Sequence, residues 1–181
     1  MKKSEGFTLI ELLVSIAILA LLLIVSIPQF RTYGKQAQLK DTATELKSLI
    51  LRTRGLALSP RTEDTGISKY QIIISEQNNR VHWEIKGIAK NESYQNIVVD
   101  SGDLEKIVIV NEITADNPRA IENNTLILDY LIPSGDINRF GSNSANQYTI
   151  QLKHKQTNDK INLDIIVATS QITIGDINID E

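Results

Sequence analysis

Gly6-Phe7-Thr8-Leu9-Ile10-Glu11-Leu12-Leu13-Val14 opens an apolar run that continues to Ile27, broken only by small hydroxyl residues and the one acid, Glu11. As a helix, about 21 residues at ~1.5 Å each span roughly 31 Å, the thickness of a bilayer's hydrocarbon core. A secretory signal peptide has a shorter apolar core and small residues at a cleavage site beyond it. Here the run passes into Ile27-Pro28-Gln29-Phe30 without such a site. A plain single-pass anchor fits the length but leaves Glu11 unexplained. An acid at that depth costs roughly 2.5–3.5 kcal/mol on insertion scales and marks function.

The same nine residues, preceded by the short leader with Lys2 and Lys3, resemble the prepilin cleavage and methylation motif of type IV pilins and type II secretion pseudopilins. The resemblance is strong over about the first 60 residues. It implies a leader of residues 1–6, cleavage after Gly6 by a membrane-embedded prepilin peptidase, and N-methylation of the new terminus at Phe7. It further implies a transmembrane segment over 7–28 whose helix bends at Pro28, and a C-terminal domain outside the cytoplasm of a bacterial inner membrane. Lysine and arginine counting leaves orientation open, because Arg31, Lys35 and Lys40 follow the span. Glycine suits a scissile position, since a chain without a side chain lies easily in a protease cleft. Glu11 would pair with the Phe7 amine of a neighbouring subunit, an attraction enlarged by low dielectric, or with the amine of its own chain.

Beyond Pro28, Leu39, Ala43, Leu46, Ile50 and Ala57 recur at helical spacing with Leu49 and Leu56 beside them, while Lys40, Asp41, Glu45, Lys47, Arg52 and Arg54 take the other side. This predicts an amphipathic half-helix over 29–59, stopped by Pro60, whose stripe packs on the domain's own sheet. From Tyr70 the period becomes two. Candidate strands are Tyr70–Ser75, Val81–Lys86, Ile97–Val99, Ile107–Val110, Thr125–Ile132, Tyr148–His154, Lys160–Thr169 and Gln171–Ile174. Turn chemistry separates them, at Gln77-Asn78-Asn79, Ser101-Gly102-Asp103, Pro133-Ser134-Gly135-Asp136 and Thr157-Asn158-Asp159. The expected class is α+β: a long N-terminal transmembrane and amphipathic helix packed on an antiparallel β-sheet domain of residues 60–181. The Leu131–Ile137 turn and the closing Gln171–Asp176 segment are similar to the minor pseudopilin H and FimT-like group, although Ser170-Gln171-Ile172 departs from that group's closing strand.

Other chemistries find little support. The 181 residues carry a net charge of −3, which gives no general attraction to nucleic acid. There is no cysteine, so disulfides, thiolate metal sites and cysteine nucleophiles are excluded. His82 and His154 read as solvated strand residues outside any catalytic motif, and no enzyme activity or cofactor is expected. Asp176-Ile177-Asn178-Ile179-Asp180 has the alternate oxygens of a calcium loop's opening, but reads equally as a fraying strand, and no metal is expected. Gly141–Asn146 reads as an exposed loop. Lys153, Lys155 and Lys160 form a small basic cluster, more simply a solvated edge than a DNA site. The function expected is a structural subunit, a minor pseudopilin, of a type II secretion pseudopilus or type IV pilus. Its partners would be other pilins, the prepilin peptidase, the assembly platform and the membrane. Alternatives are a minor pilin of a competence or adhesion filament, and an unrelated membrane-anchored binding protein.

Overall fold

The computed structural model describes residues 7–60, 66–91, 95–121, 123–138 and 145–179; within helix α1 the side chains of 25–31 are not described. Two compact units divide at Ala37/Gln38. The first is the apolar part of α1 (Leu9–Leu58), a helix assigned without a break through Pro28 and Gly34. Its apolar side chains from Leu9 to Ile24 are all exposed. Among the described residues no helix is long and apolar enough to cross a membrane; the apolar run continues over Val25–Ile27, whose side chains lie outside the description.

The second unit holds the rest of α1 and, among the described residues, eight strands: β1 (Ile67–Gln77), β2 (Arg80–Ala89), β3 (Ile97–Asp103), β4 (Val108–Ala115), β5 (Leu126–Leu131), β6 (Gln147–His154), β7 (Lys160–Ile166) and β8 (Gln171–Asn178). They form two four-stranded sheets, ordered β3-β2-β1-β5 and β4-β6-β7-β8. Every pairing is antiparallel. The fold is α+β, with the helix on antiparallel sheets.

The helical stripe enters the core as its spacing predicts: Leu39, Ala43, Leu46, Leu49, Ile50 and Ala57 are buried with the inward faces of both sheets. Each fully buried Leu or Ile contributes about 1.5–3 kcal/mol relative to exposure. Thr42 and Thr53 share the stripe because their hydroxyls donate back to Gln38 O and Leu49 O, both at 2.9 Å. The helix stops at Leu58, two residues before Pro60.

All eight expected strands form, with shifted ends. β4 runs on to Ala115 because a bulge between Val110 and Glu112 breaks the alternation and returns Ile113 to the buried face. Ser101-Gly102-Asp103, expected as a turn, is instead the end of β3. Gly102 faces Trp83, where a Cβ would stand 3.2 Å from the indole ring, so the glycine serves close packing rather than a turn. Asn78 and Asn79 have φ of 53° and 58°, the paired left-handed geometry of a two-residue hairpin, and Gln77 opposes Arg80.

Candidate functional site

Thr8 and Glu11 close a reciprocal cap on the first turn of α1. Thr8 N–H and Oγ1 donate to Glu11 Oε2 at 2.9 and 2.8 Å, and Glu11 N–H donates to Thr8 Oγ1 at 3.3 Å. Threonine at the N-cap with glutamate three residues on is the arrangement that satisfies orphan donors at a helix start. Both side-chain bonds fall on Oε2, so Oε1 accepts none among the described residues. Phe7, the residue before the cap, is 84% exposed. The carboxylate is therefore held in one orientation on the first turn, with one oxygen open to a cation. Gly6 and the leader lie outside the described residues, and so does the side chain of Pro28.

The histidines differ from each other. His82 is partly exposed, with Nδ1 2.8 Å from Asp103 Oδ1, while Arg80 Nη1 stands 3.6 Å from the same carboxylate. Ser75, His82 and Asp103 lie in one row across β1, β2 and β3, a juxtaposition that the linear sequence hides. Among the described residues no hydrogen bond joins Ser75 to His82, so the row lacks the nucleophile–base bond of a hydrolytic triad; Ser75 Oγ accepts from Gln77 Nε2 at 3.5 Å. His154 is fully buried, which corrects the expectation of a solvated residue. It belongs to the inward set Tyr148, Ile150, Leu152 and His154, and its Nδ1 accepts from Gln156 N–H at 3.2 Å. That bond gives the buried ring one polar partner at the end of the core.

The lysine cluster divides in the same way. Lys153 opposes Lys160 across β6 and β7, whereas Lys155 Nζ is taken by the carbonyls of Asn79 and Lys106. Lys155 thus joins the β1–β2 turn to the loop before β4. Asp176 and Asn178 lie in β8, and Asp180 is outside the described residues.

Two further polar groups serve the fold. Asp116 accepts from Asn146 Nδ2 at 3.0 Å and from Asn146 N–H at 2.9 Å, and the Asn146 amide bond is the chief cause holding its carboxyl below the usual range. Tyr130 is buried opposite Tyr70, and burial pushes its hydroxyl well above the ordinary tyrosine range, partly offset by the Arg54 guanidinium.

Comparison with known proteins agrees with both halves of this description. The family model for the prokaryotic N-terminal methylation motif matches residues 1–27. Two curated fimbrial proteins of Pseudomonas aeruginosa are each 33% identical over 72 residues, covering 36% of this chain and 47% of theirs. The chain thus spans about half the length of the curated relatives it matches. The crystal structure of the Pseudomonas aeruginosa type IV minor pilin FimU is similar at a TM-score of 0.51 and 15% identity, over 80% of this chain and 92% of that one. At that identity the likeness is one of fold. The chain thus carries the N-terminal methylation motif at its head, and its fold is similar to that of a type IV minor pilin.

Proposed function

We propose that this chain is a structural filament subunit, a minor pilin or pseudopilin. The leader 1–6 is removed by a prepilin peptidase after Gly6, Phe7 becomes the N-methylated terminus, and 7–28 crosses the bacterial inner membrane once. Residues 29–59 carry the chain into the 60–181 domain outside the cytoplasm, and an assembly platform feeds the subunit to other pilins. The observation that carries this reading is the Glu11 carboxylate, fixed by Thr8 with Oε1 open, one turn from the future terminus. A neighbour's Phe7 amine is the cation it suits, and a pair formed at low dielectric sets the register between subunits. Pro28 is the position at which the helix would bend. No catalysis or cofactor enters this role. Secretion pseudopilus and surface pilus use the same N-terminal chemistry. The competence reading is disfavoured, because Lys155 is committed to two backbone carbonyls.

Mass spectrometry of the N-terminus from membrane or filament fractions tests the proposal. A methylated Phe7 start is expected, and Gly6 replaced by a bulky residue leaves the precursor uncut. An intact Met1, or a cut beyond Pro28, overturns it.

A further inference from the structure

Residues 29–38 of α1 lie between the apolar run and the first core residue, Leu39. Their composition is aromatic and basic, with Phe30, Arg31, Tyr33 and Lys35. Over residues 12–40 there is no acid, so neither Arg31 nor Lys35 has a carboxylate three or four places away, where a helix would pair it. This stands out in a chain whose net charge is −3. Tyr33 is 66% exposed, and a Cβ added at Gly34 beside it would meet nothing within 4 Å. With the leader removed, Lys2 and Lys3 are gone. Arg31 and Lys35 are then the side-chain cations nearest the apolar run.

The spacing matches a membrane surface. The headgroup layer on each side of a hydrocarbon core is about 5–8 Å deep. At ~1.5 Å per residue, Arg31 stands about 4.5 Å and Tyr33 about 7.5 Å beyond Pro28, within that depth. Lys35 stands about 10.5 Å beyond it and reaches back along a flexible stem. Tyrosine is enriched at this level because its ring is apolar and its hydroxyl wet. Lysine and arginine beside a span are drawn to anionic lipid.

Resting on the reading of 7–28 as the span, we propose that residues 29–37 form a collar that binds anionic phospholipid at the membrane surface. Phe30 and Tyr33 lodge among the headgroups, and Arg31 and Lys35 engage the phosphates. Lipid is the occupant because the segment continues directly from the proposed span and its charge is wholly positive. A subunit awaiting assembly is surrounded by lipid at that level, and the collar fixes its height there. A carboxylate of a neighbouring subunit is the competing occupant, and it would leave the collar in water when the chain is alone in a vesicle.

The chain has no cysteine, so single cysteines report position. Gly34→Cys, next to Tyr33, and Ile18→Cys, inside the proposed span, are made in the full chain and labelled with an environment-sensitive dye. Each is reconstituted in vesicles of phosphatidylcholine, alone or with an equal part of phosphatidylglycerol. Quenching by lipids brominated near the headgroup or deep in the acyl chain gives the depth of each label. At Gly34→Cys, shallow quenching should be about twofold or more stronger with phosphatidylglycerol. High salt, or Arg31→Gln combined with Lys35→Gln, should return it to the phosphatidylcholine level. Tyr33→Ser should move the label toward water in both lipids. Thermal unfolding should be the same in all variants, because these positions precede the unit that starts at Gln38. A label at Ile18→Cys that is not deeply quenched overturns the span and the collar together. A deep label at Ile18→Cys, with one at Gly34→Cys that lies in water or ignores phosphatidylglycerol or the two glutamines, overturns the collar alone.

Discussion

Gly135 lies under Leu58: with φ of +65°, it sits where an added Cβ would come within 2.6 Å of the Leu58 Cγ. The Gly135 carbonyl also accepts from Arg54 Nε at 3.2 Å, so the Pro133–Asp136 turn closes against the last turns of α1.

Gly135→Ala should destabilise the fold by about 1–3 kcal/mol, combining left-handed strain with a clash. Thermal or urea unfolding measures this. Leu58→Ala in the same chain should recover part of the loss by removing the clash, while the backbone strain remains. A double variant no better than the single would show that contact with Leu58 is not the source.

With residues 7–28 as the proposed span, Glu11→Val should insert in the membrane at least as well as the natural chain, since an acid at that depth costs roughly 2.5–3.5 kcal/mol. The proposed cleavage after Gly6 should be unaffected. Incorporation into sheared or cross-linked filaments should fall about tenfold or more, equivalent to about 1.4 kcal/mol of lost attraction. Glu11→Gln should keep the cap with Thr8 yet assemble nearly as poorly, because a neutral amide replaces little of the charge interaction. Normal incorporation of both variants would return Glu11 to a merely helix-capping role.

Lys153→Glu and Lys155→Glu should behave differently although they stand two residues apart. The first changes an outer-face charge and should alter stability by no more than about 0.5 kcal/mol. The second removes a cation shared by Asn79 O and Lys106 O and should cost about 1.5–3 kcal/mol. DNA affinity of the region from Gln29 onward should be weak at physiological salt in every case, as an anisotropy titration would register. Sub-micromolar binding lost with Lys153→Glu would revive the competence reading.

Acid stability should respond to Asp116. Its folded carboxyl is held below the unfolded value of about 3.9, mainly by the Asn146 side chain, so its contribution is present above that value and is lost as pH falls through the folded one. Melting curves between pH 7 and pH 3 should therefore drop less steeply at the acid end for Asp116→Asn. An unchanged acid limb would assign the loss to other carboxylates.

Much of this architecture is legible in the chain itself. Pro60 announces the end of α1, the spacing of Leu39, Ala43, Leu46, Ile50 and Ala57 gives its buried side, and alternation reveals the strands. What stays hidden depends on partners distant in sequence. Gly102 reads as a turn until Trp83 is known to lie against it. His154 reads as polar and solvated until the turn after β6 supplies a donor to its ring. The division into two sheets is invisible to periodicity, which records which face is apolar but not which strand pairs with which. At the helix head Glu11 stands out in the sequence while its cap with Thr8 does not, although their three-residue spacing is the signal that reveals it.

The pairing of β1 with β5 has a consequence for how the chain reaches its native state. β6, β7 and β8 form a meander of neighbours, but Lys69 must wait for Leu131, and Tyr70 for Tyr130, before the other sheet can close. Bringing together ends so far apart incurs a loop-closure entropy that local hairpins avoid, and such contacts slow folding. During emergence from the ribosome, the β1–β2 hairpin and the apolar stripe of α1 are therefore exposed until β5 has followed. A nascent chain stalled before Leu126 would present Ile72, Ile74, Val81 and Ile85 to water, and would be a natural client for a holdase chaperone.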